Sequence, residues 1–287
     1  MSVKIRWVIN TIRMLFLTAP ISVFATGVFH FTVIHDGDKE HEQYARYIEE
    51  KGTFKKIINA LNTTLNIPYD IYVVMTNRTG GAVYFRTKKI IMLDYGDVSL
   101  MAKEYDKANP SADKVARQYF LNNINLGGFY HELGHALIDA YQIPVVGKEE
   151  DAADSLSAVM ILYYFNKGEQ ILLDNTFFWK AFRNLDSNDD SRYWDVHSLN
   201  DQRYYRLLCY AYAKSPEYVT EKLKEEDDED HTLNQFISSK KTYCLKEYKK
   251  LNKAWFNLLK PHFKNSEEAE QAIQKINGSI DKSQIND

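Results

Sequence analysis

The chain has 287 residues, 45 % of them hydrophobic and 26 % charged, with a formal net charge of -3. That is an ordinary composition for a globular enzyme, with length enough to bury a real core in one domain. There is no basic surplus to mark a nucleic-acid binder, so no nucleic-acid partner is expected.

Residues 1–25 read as an export signal. Lys4, Arg6 and Arg13 precede an apolar run that ends at Ala25, and Val23 and Ala25 occupy the small-residue positions before a cleavage point. Cleavage there would release a secreted or periplasmic protein with no membrane contact. The alternative is an uncleaved N-terminal anchor, although the run is slightly short for a spanning helix.

Beyond the signal, Val28–Ile34 alternates and is rich in β-formers, which predicts a strand. Residues 39–65 carry Tyr44, Ile48, Phe54, Ile58 and Leu61 at helical spacing. A strand follows Pro68 over Ile71–Met75, then a turn at Asn77–Gly81, then strands over Val83–Phe85 and Lys89–Asp94. From about Ala112 the pattern is helical. The layout is α+β: a small twisted sheet part over 26–110, a helical part over 111–265 and a polar tail over 266–287. The acidic run Glu221–Asp230 reads as a solvated helix end, since it lacks the glycine and spaced ligands of a calcium loop. Cys209 and Cys244, an even pair in an exported chain, predict a disulfide.

The chemistry concentrates in His131-Glu132-Leu133-Gly134-His135, an HExxH. Residues four apart on an α-helix share a face, so both imidazoles can address one cation while Glu132, round the helix, reaches a water beside it. Phe129, Leu133, Leu137, Ile138 and Tyr141 form the buried stripe that such a helix needs. Gly134 is unfavourable in a helix and predicts room for the sheet or the metal to come close. Pro144 and Gly147 end the helix, and a second opens with Glu149-Glu150-Asp151-Ala152-Ala153-Asp154. Acidic residues there also complement a helix dipole, which is one of two open readings for Glu149 and Asp151. Glu150 and Asp154 share a face. A zinc ion on two histidines needs a third protein ligand, for which Glu150 is the candidate and Glu149 or Asp154 the alternatives. A carboxylate one turn on, Asp154, would orient a ligand histidine through its outer ring nitrogen.

HELGHALID and IPVVGKEEDAAD resemble the bacterial metallopeptidase family DUF4344 and, more broadly, the gluzincin class, in which HExxH is followed on the next helix by ExxxD. The resemblance covers most of the mature chain. It implies a zincin-like fold, one zinc ion per chain on His131, His135 and Glu150, Glu132 as general base and Asp154 as the orienting carboxylate. Two departures stand out: the family's cysteine pair near the hairpin is missing, and the interval from His135 to Glu150 is shorter than in the best-known gluzincins. A metzincin is excluded by Ile138 and Tyr141, where that class needs Gly and His.

The expected activity is hydrolysis of peptide bonds in a peptide or protein substrate by a zinc-activated water, with Glu132 as base. Oxyanion donors are sought among His197, Arg203, Tyr204 and Tyr205. His30, His35, His41, His231 and His262 are taken as non-ligands. Lys89–Asp94 is the candidate edge for an extended substrate. The competing reading is a catalytically silent zinc-containing binding protein of the cell envelope.

Overall fold

A computed structural model of the chain describes residues 26–77, 80–182, 193–225, 232–265 and 267. The expected signal, His231, the later part of the acidic run and nearly all of the polar tail lie outside these residues. In chain order the elements are β1 (Phe29–Val33), α1 (Lys39–Lys51), α2 (Thr53–Thr64), β2 (Ile71–Thr76), β3 (Val83–Phe85) and β4 (Ile90–Asp94). The helical part follows as α3 (Tyr95–Ala108), α4 (Lys114–Tyr141), α5 (Glu149–Tyr164), α6 (Gly168–Ala181), α7 (Asn200–Lys214), α8 (Pro216–Glu225) and α9 (Thr232–Leu259). Among the described residues no helix is long and apolar enough to cross a membrane.

The single helix expected over 39–65 is two. Gly52 stands between them with φ 62°, a left-handed conformation that glycine adopts without a Cβ clash. Helix α3, not foreseen, begins directly where β4 stops: Asp94 is both the last strand residue and the N-cap, accepting from the Gly96 backbone N–H.

The sheet order is β1-β2-β4-β3, with β1, β2 and β4 parallel and β3 antiparallel to β4. Alternate residues Ile71, Val73, Met75, Ile91 and Leu93 are fully buried, the period-two signature of a strand with one face on the core. Phe54 joins the layers, stacked on Phe31 of β1 at 5.1 Å and edge-on to Phe129 of α4 at 5.6 Å. The edge beside the helical part is β3. Strand β4 lies between β2 and β3, so the expectation that Lys89–Asp94 offers a free edge is corrected.

Helix α4 has 28 residues, about 42 Å at 1.5 Å per residue, and runs under the sheet before ending at Gln142 in the left-handed region. Helix α5 then packs back along it. A Cβ on Gly134 would lie 3.0 Å from Ala153 Cα and 3.1 Å from Ala153 O, so the missing side chain admits the backbone of α5 rather than the sheet or a metal. Residues 153–162 of α5 are buried without interruption, as expected of a helix covered on all sides. Helices α7 and α9 are joined by the Cys209–Cys244 disulfide. Trp255 of α9 donates its indole N–H to Ser155 Oγ of α5 at 2.9 Å.

Candidate metal centre

Three side-chain atoms from α4 and α5 converge. His131 Nε2 lies 3.1 Å and His135 Nε2 3.2 Å from Glu150 Oε2, and the two nitrogens are 3.3 Å apart. Donors bound tetrahedrally at 2.0–2.1 Å sit about 3.3 Å from one another, so the triangle has the size of one face of a zinc coordination shell. The outer nitrogens are engaged elsewhere. His131 Nδ1 is 2.8 Å from Asp154 Oδ1, and His135 Nδ1 is 2.8 Å from Glu149 Oε1. Each carboxylate fixes its ring with the proton on Nδ1, leaving two Nε2 lone pairs and a carboxylate oxygen facing one point. Such a set of acceptors calls for a cation, and its chemistry fits zinc.

The local charge agrees. Burial alone would lower the pKa of His131, but Asp154 beside it, then Glu150 and Glu132, push it up to about 9. Burial raises the Glu150 carboxyl, yet the His131, His135 and His197 rings, when they carry on Nε2 the proton that a cation would displace, outweigh this and hold it well below its ordinary value. Glu132 is buried and its pKa is raised, chiefly by desolvation. Its Oε1 is 4.0 Å from His131 Nε2, beside the converging atoms but outside the triangle. The nearby positive character of His131 and His135 and the backbone of Tyr84 in β3 offset part of this rise.

Asp154 is held in turn. Arg203 of α7 donates Nε to Oδ2 at 2.8 Å and Nη2 to Oδ1 at 2.6 Å, and Trp179 covers the guanidinium at 3.7 Å. His197 completes the surround. Its Nε2 is 3.0 Å from Glu150 Oε2 and its Nδ1 3.1 Å from Asp195 Oδ1. The segment bearing it is tied to the start of α5: Lys148 Nζ donates to the carbonyls of Asp195 at 2.8 Å and His197 at 2.9 Å, and Ser198 Oγ donates to Asp151 at 2.7 Å. A grouping of possible metal ligands is therefore also formed by His131, Glu150 and His197.

A cavity of about 350 Å³ opens from His131 and Glu132, with apolar walls that include Val98, Ile124, Leu172, Phe178, Trp179 and Leu207. Its size is that of a small-molecule or side-chain pocket. Of the four donors considered from sequence, His197 and Arg203 line it, whereas Tyr204 and Tyr205 do not. The five residues expected at the site are thus together: His131, Glu132, His135, Glu150 and Asp154. Glu149, left open between the helix dipole and an alternative to Glu150, contacts His135 through its outer nitrogen. Its position next to Glu150 was the one available hint. Arg86, Lys148 and the Asp94–Asp97 pair at the cavity rim left no such signal. His30 pairs with Asp70 ahead of β2, His35 with Glu42 of α1 and His41 with Asp36 of the loop before α1, and His262 stacks on Tyr141 at 3.7 Å, all apart from the triangle.

A mixed sheet with an antiparallel edge strand, over a helix presenting HExxH, is consistent with the zincin-like class of folds. The chain belongs to the DUF4344 family, described as "Putative metallopeptidase", which matches residues 35–259. No curated protein and no solved structure matches the chain.

Proposed function

We propose that the protein is a zinc-dependent metallopeptidase that hydrolyses peptide bonds, with His131, His135 and Glu150 as ligands of one zinc ion and Glu132 as general base. The observation that carries the proposal is the convergence of His131 Nε2, His135 Nε2 and Glu150 Oε2 at 3.1–3.3 Å, with the Glu132 carboxylate immediately outside. Zinc, when bound, supplies a Lewis acid that polarises a carbonyl and makes water acidic near neutral pH. The chain does the rest. Glu132 takes a proton from the water that attacks the carbonyl carbon, then delivers it to the amide nitrogen as the C–N bond breaks. Its raised pKa, from burial, suits a group that must both accept and return a proton. His197, its pKa raised chiefly by Glu150, acts as an imidazolium: Nδ1–H donates to Asp195 and Nε2–H donates to the developing oxyanion. Asp154 keeps the His131 ring in one tautomer, and Arg203 keeps Asp154 ionised. The cavity takes a side chain next to the scissile bond, and β3 offers its free edge to the substrate backbone.

Export of the enzyme is part of the proposal. It is supported by the disulfide, a bond that persists in oxidising compartments, and by the charged and then apolar start of the chain.

The test is digestion of an unbiased peptide library by wild type and by Glu132→Gln, with and without chelator, alongside metal analysis. Zinc retained in both proteins, with cleavage in the wild type only, supports the assignment; a Gln variant as active as wild type removes Glu132 from its role. A second reading is favoured by the 3.0 Å approach of His197 to Glu150, in which His197 closes the site as a fourth ligand of a silent zinc protein. His197→Ala separates the two. Loss of rate by about 10²–10³ with zinc retained fits an oxyanion donor, whereas loss of zinc fits a closed site.

A further inference from the structure

The turn between β3 and β4 reaches both helices that bear the candidate ligands. Arg86 opens that turn, placing Nη2 2.8 Å from Glu149 Oε1 and Nε 3.7 Å from Asp139 Oδ1. Glu149 Oε1 is the same oxygen that meets His135 Nδ1 at 2.8 Å. Asp139 lies on α4 one turn beyond His135, and its Oδ2 accepts from Tyr69 OH at 3.0 Å, Tyr84 OH at 2.8 Å and Lys89 Nζ at 2.6 Å. Lys89 closes the turn with φ 56°, a left-handed conformation rare outside glycine, and its amine is held by Asp139 and by the Tyr69 ring at 4.4 Å. The turn is therefore fastened at both ends, and Asp139 fixes the ground on which Arg86 stands.

We infer that Arg86 is a positioning residue for the candidate metal centre, holding the Glu149 carboxylate on His135 Nδ1 from the turn that follows edge strand β3. The inference rests on the metal-site reading proposed above. An isolated ion pair at this exposure would contribute little, because Arg86 is 56 % and Glu149 35 % solvent-exposed. What distinguishes this one is geometry. Glu149, half-buried in the first turn of α5, would without a partner be free to turn into solvent. The planar guanidinium spans two carboxylates on two helices and removes that freedom. A partner that orients a metal-binding histidine raises its ligand strength and fixes its tautomer, and such partners are worth about 10–100-fold in metal affinity. A lysine at position 86 keeps the charge and loses the fork, so it replaces the arginine only in part. The arrangement also links the strand on which a substrate backbone would lie to the orientation of His135, through a single side chain.

The experiment measures zinc affinity by chelator competition, and the visible spectrum of the cobalt-substituted protein, for wild type, Arg86→Met, Arg86→Lys, Glu149→Ala and the Arg86→Met/Glu149→Ala double variant. Circular dichroism verifies that each is folded, and Arg86→Lys serves if Arg86→Met is not. The expected result is about 10-fold weaker zinc binding and an altered cobalt spectrum for Arg86→Met, a smaller change in the same direction for Arg86→Lys, and a double variant no weaker than Glu149→Ala alone. Wild-type affinity and spectrum in folded Arg86→Met, or losses that multiply in the double variant, overturn the inference. The readout is binding and not turnover, so a protein that binds zinc but cleaves nothing defeats the peptidase proposal separately. A wild type that binds neither ion defeats both.

Discussion

Removing the Asp154 carboxylate should disturb fold and site together, and the two effects can be told apart. Asp154 and Arg203 are both buried, at 8 % and 6 % exposure, and the guanidinium meets the carboxylate through two bonds of 2.8 and 2.6 Å. Asp154→Ala leaves Arg203 charged beneath Trp179 with no counter-ion, and breaking a buried pair from one side costs about 3–5 kcal/mol. At roughly 2–4 °C per kcal/mol for a chain of this size, the melting temperature should fall by roughly 6–20 °C. Arg203→Met has the mirror effect, while the double variant Asp154→Ala/Arg203→Met should lose less than the sum, since neither charge is left alone. Zinc affinity separates the roles. It should fall about 10–100-fold wherever Asp154 is absent, because His131 Nδ1 then lacks its acceptor. The assay is calorimetry of metal-free protein beside chelator competition. Additive losses in the double variant, or unchanged zinc affinity in Asp154→Ala, would refute the reasoning.

The same pair sets an acid limit: hydrogen bonds and charge from Arg203 and His131 outweigh burial and hold the Asp154 carboxyl well below its ordinary 3.8. Its contribution to stability is present above that value and is lost as pH falls below it toward the depressed folded value, so acid titration of Asp154→Ala should lack this component. Asp97 behaves in the opposite sense. Burial, then the neighbouring Asp94, push it from 3.8 up to about 6, so its folded form binds the extra proton. Its presence should make stability fall as pH rises from 3.8 to 6, and Asp97→Asn should flatten that part of the curve. Gly134→Ala improves helix propensity but drives a Cβ to 3.0 Å from Ala153 Cα, so urea unfolding should show a net loss of about 1–3 kcal/mol; a stabilised variant would mean that α5 shifts freely. Reducing Cys209–Cys244, which closes a loop of sequence separation 35, should cost about 3–4 kcal/mol on the chain-entropy argument, read as a lower melting temperature under reductant.

What the sequence discloses follows its periodicities. The HExxH helix was legible because its apolar stripe and its candidate ligands recur at 3.6, and Glu150 and Asp154 because they share a face one turn apart. The cysteine pair was legible from its even count together with the expectation of export. Strand positions were legible too, but their order was not. Whether β3 or β4 lies at the edge depends on pairing across the sheet, and hydrophobic alternation is indifferent to it. The break at Gly52 was lost because one apolar pattern continues across it, and α3 because Asp94 ends a strand and caps a helix with no linker between. Glu149 was ambiguous for an electrostatic reason: an acidic side chain in a first turn satisfies the helix dipole equally well whether or not it meets His135. Arg86, 63 residues from its partner Glu149, sits in a turn whose sequence is that of any solvated hairpin.

X-ray absorption at the zinc edge of the purified protein tests the central claim most directly. The account predicts one zinc ion with light-atom neighbours at about 2.0–2.1 Å, multiple scattering from two imidazoles, and a coordination place filled by a non-protein oxygen. A third imidazole in the shell, or no zinc at all, would contradict it.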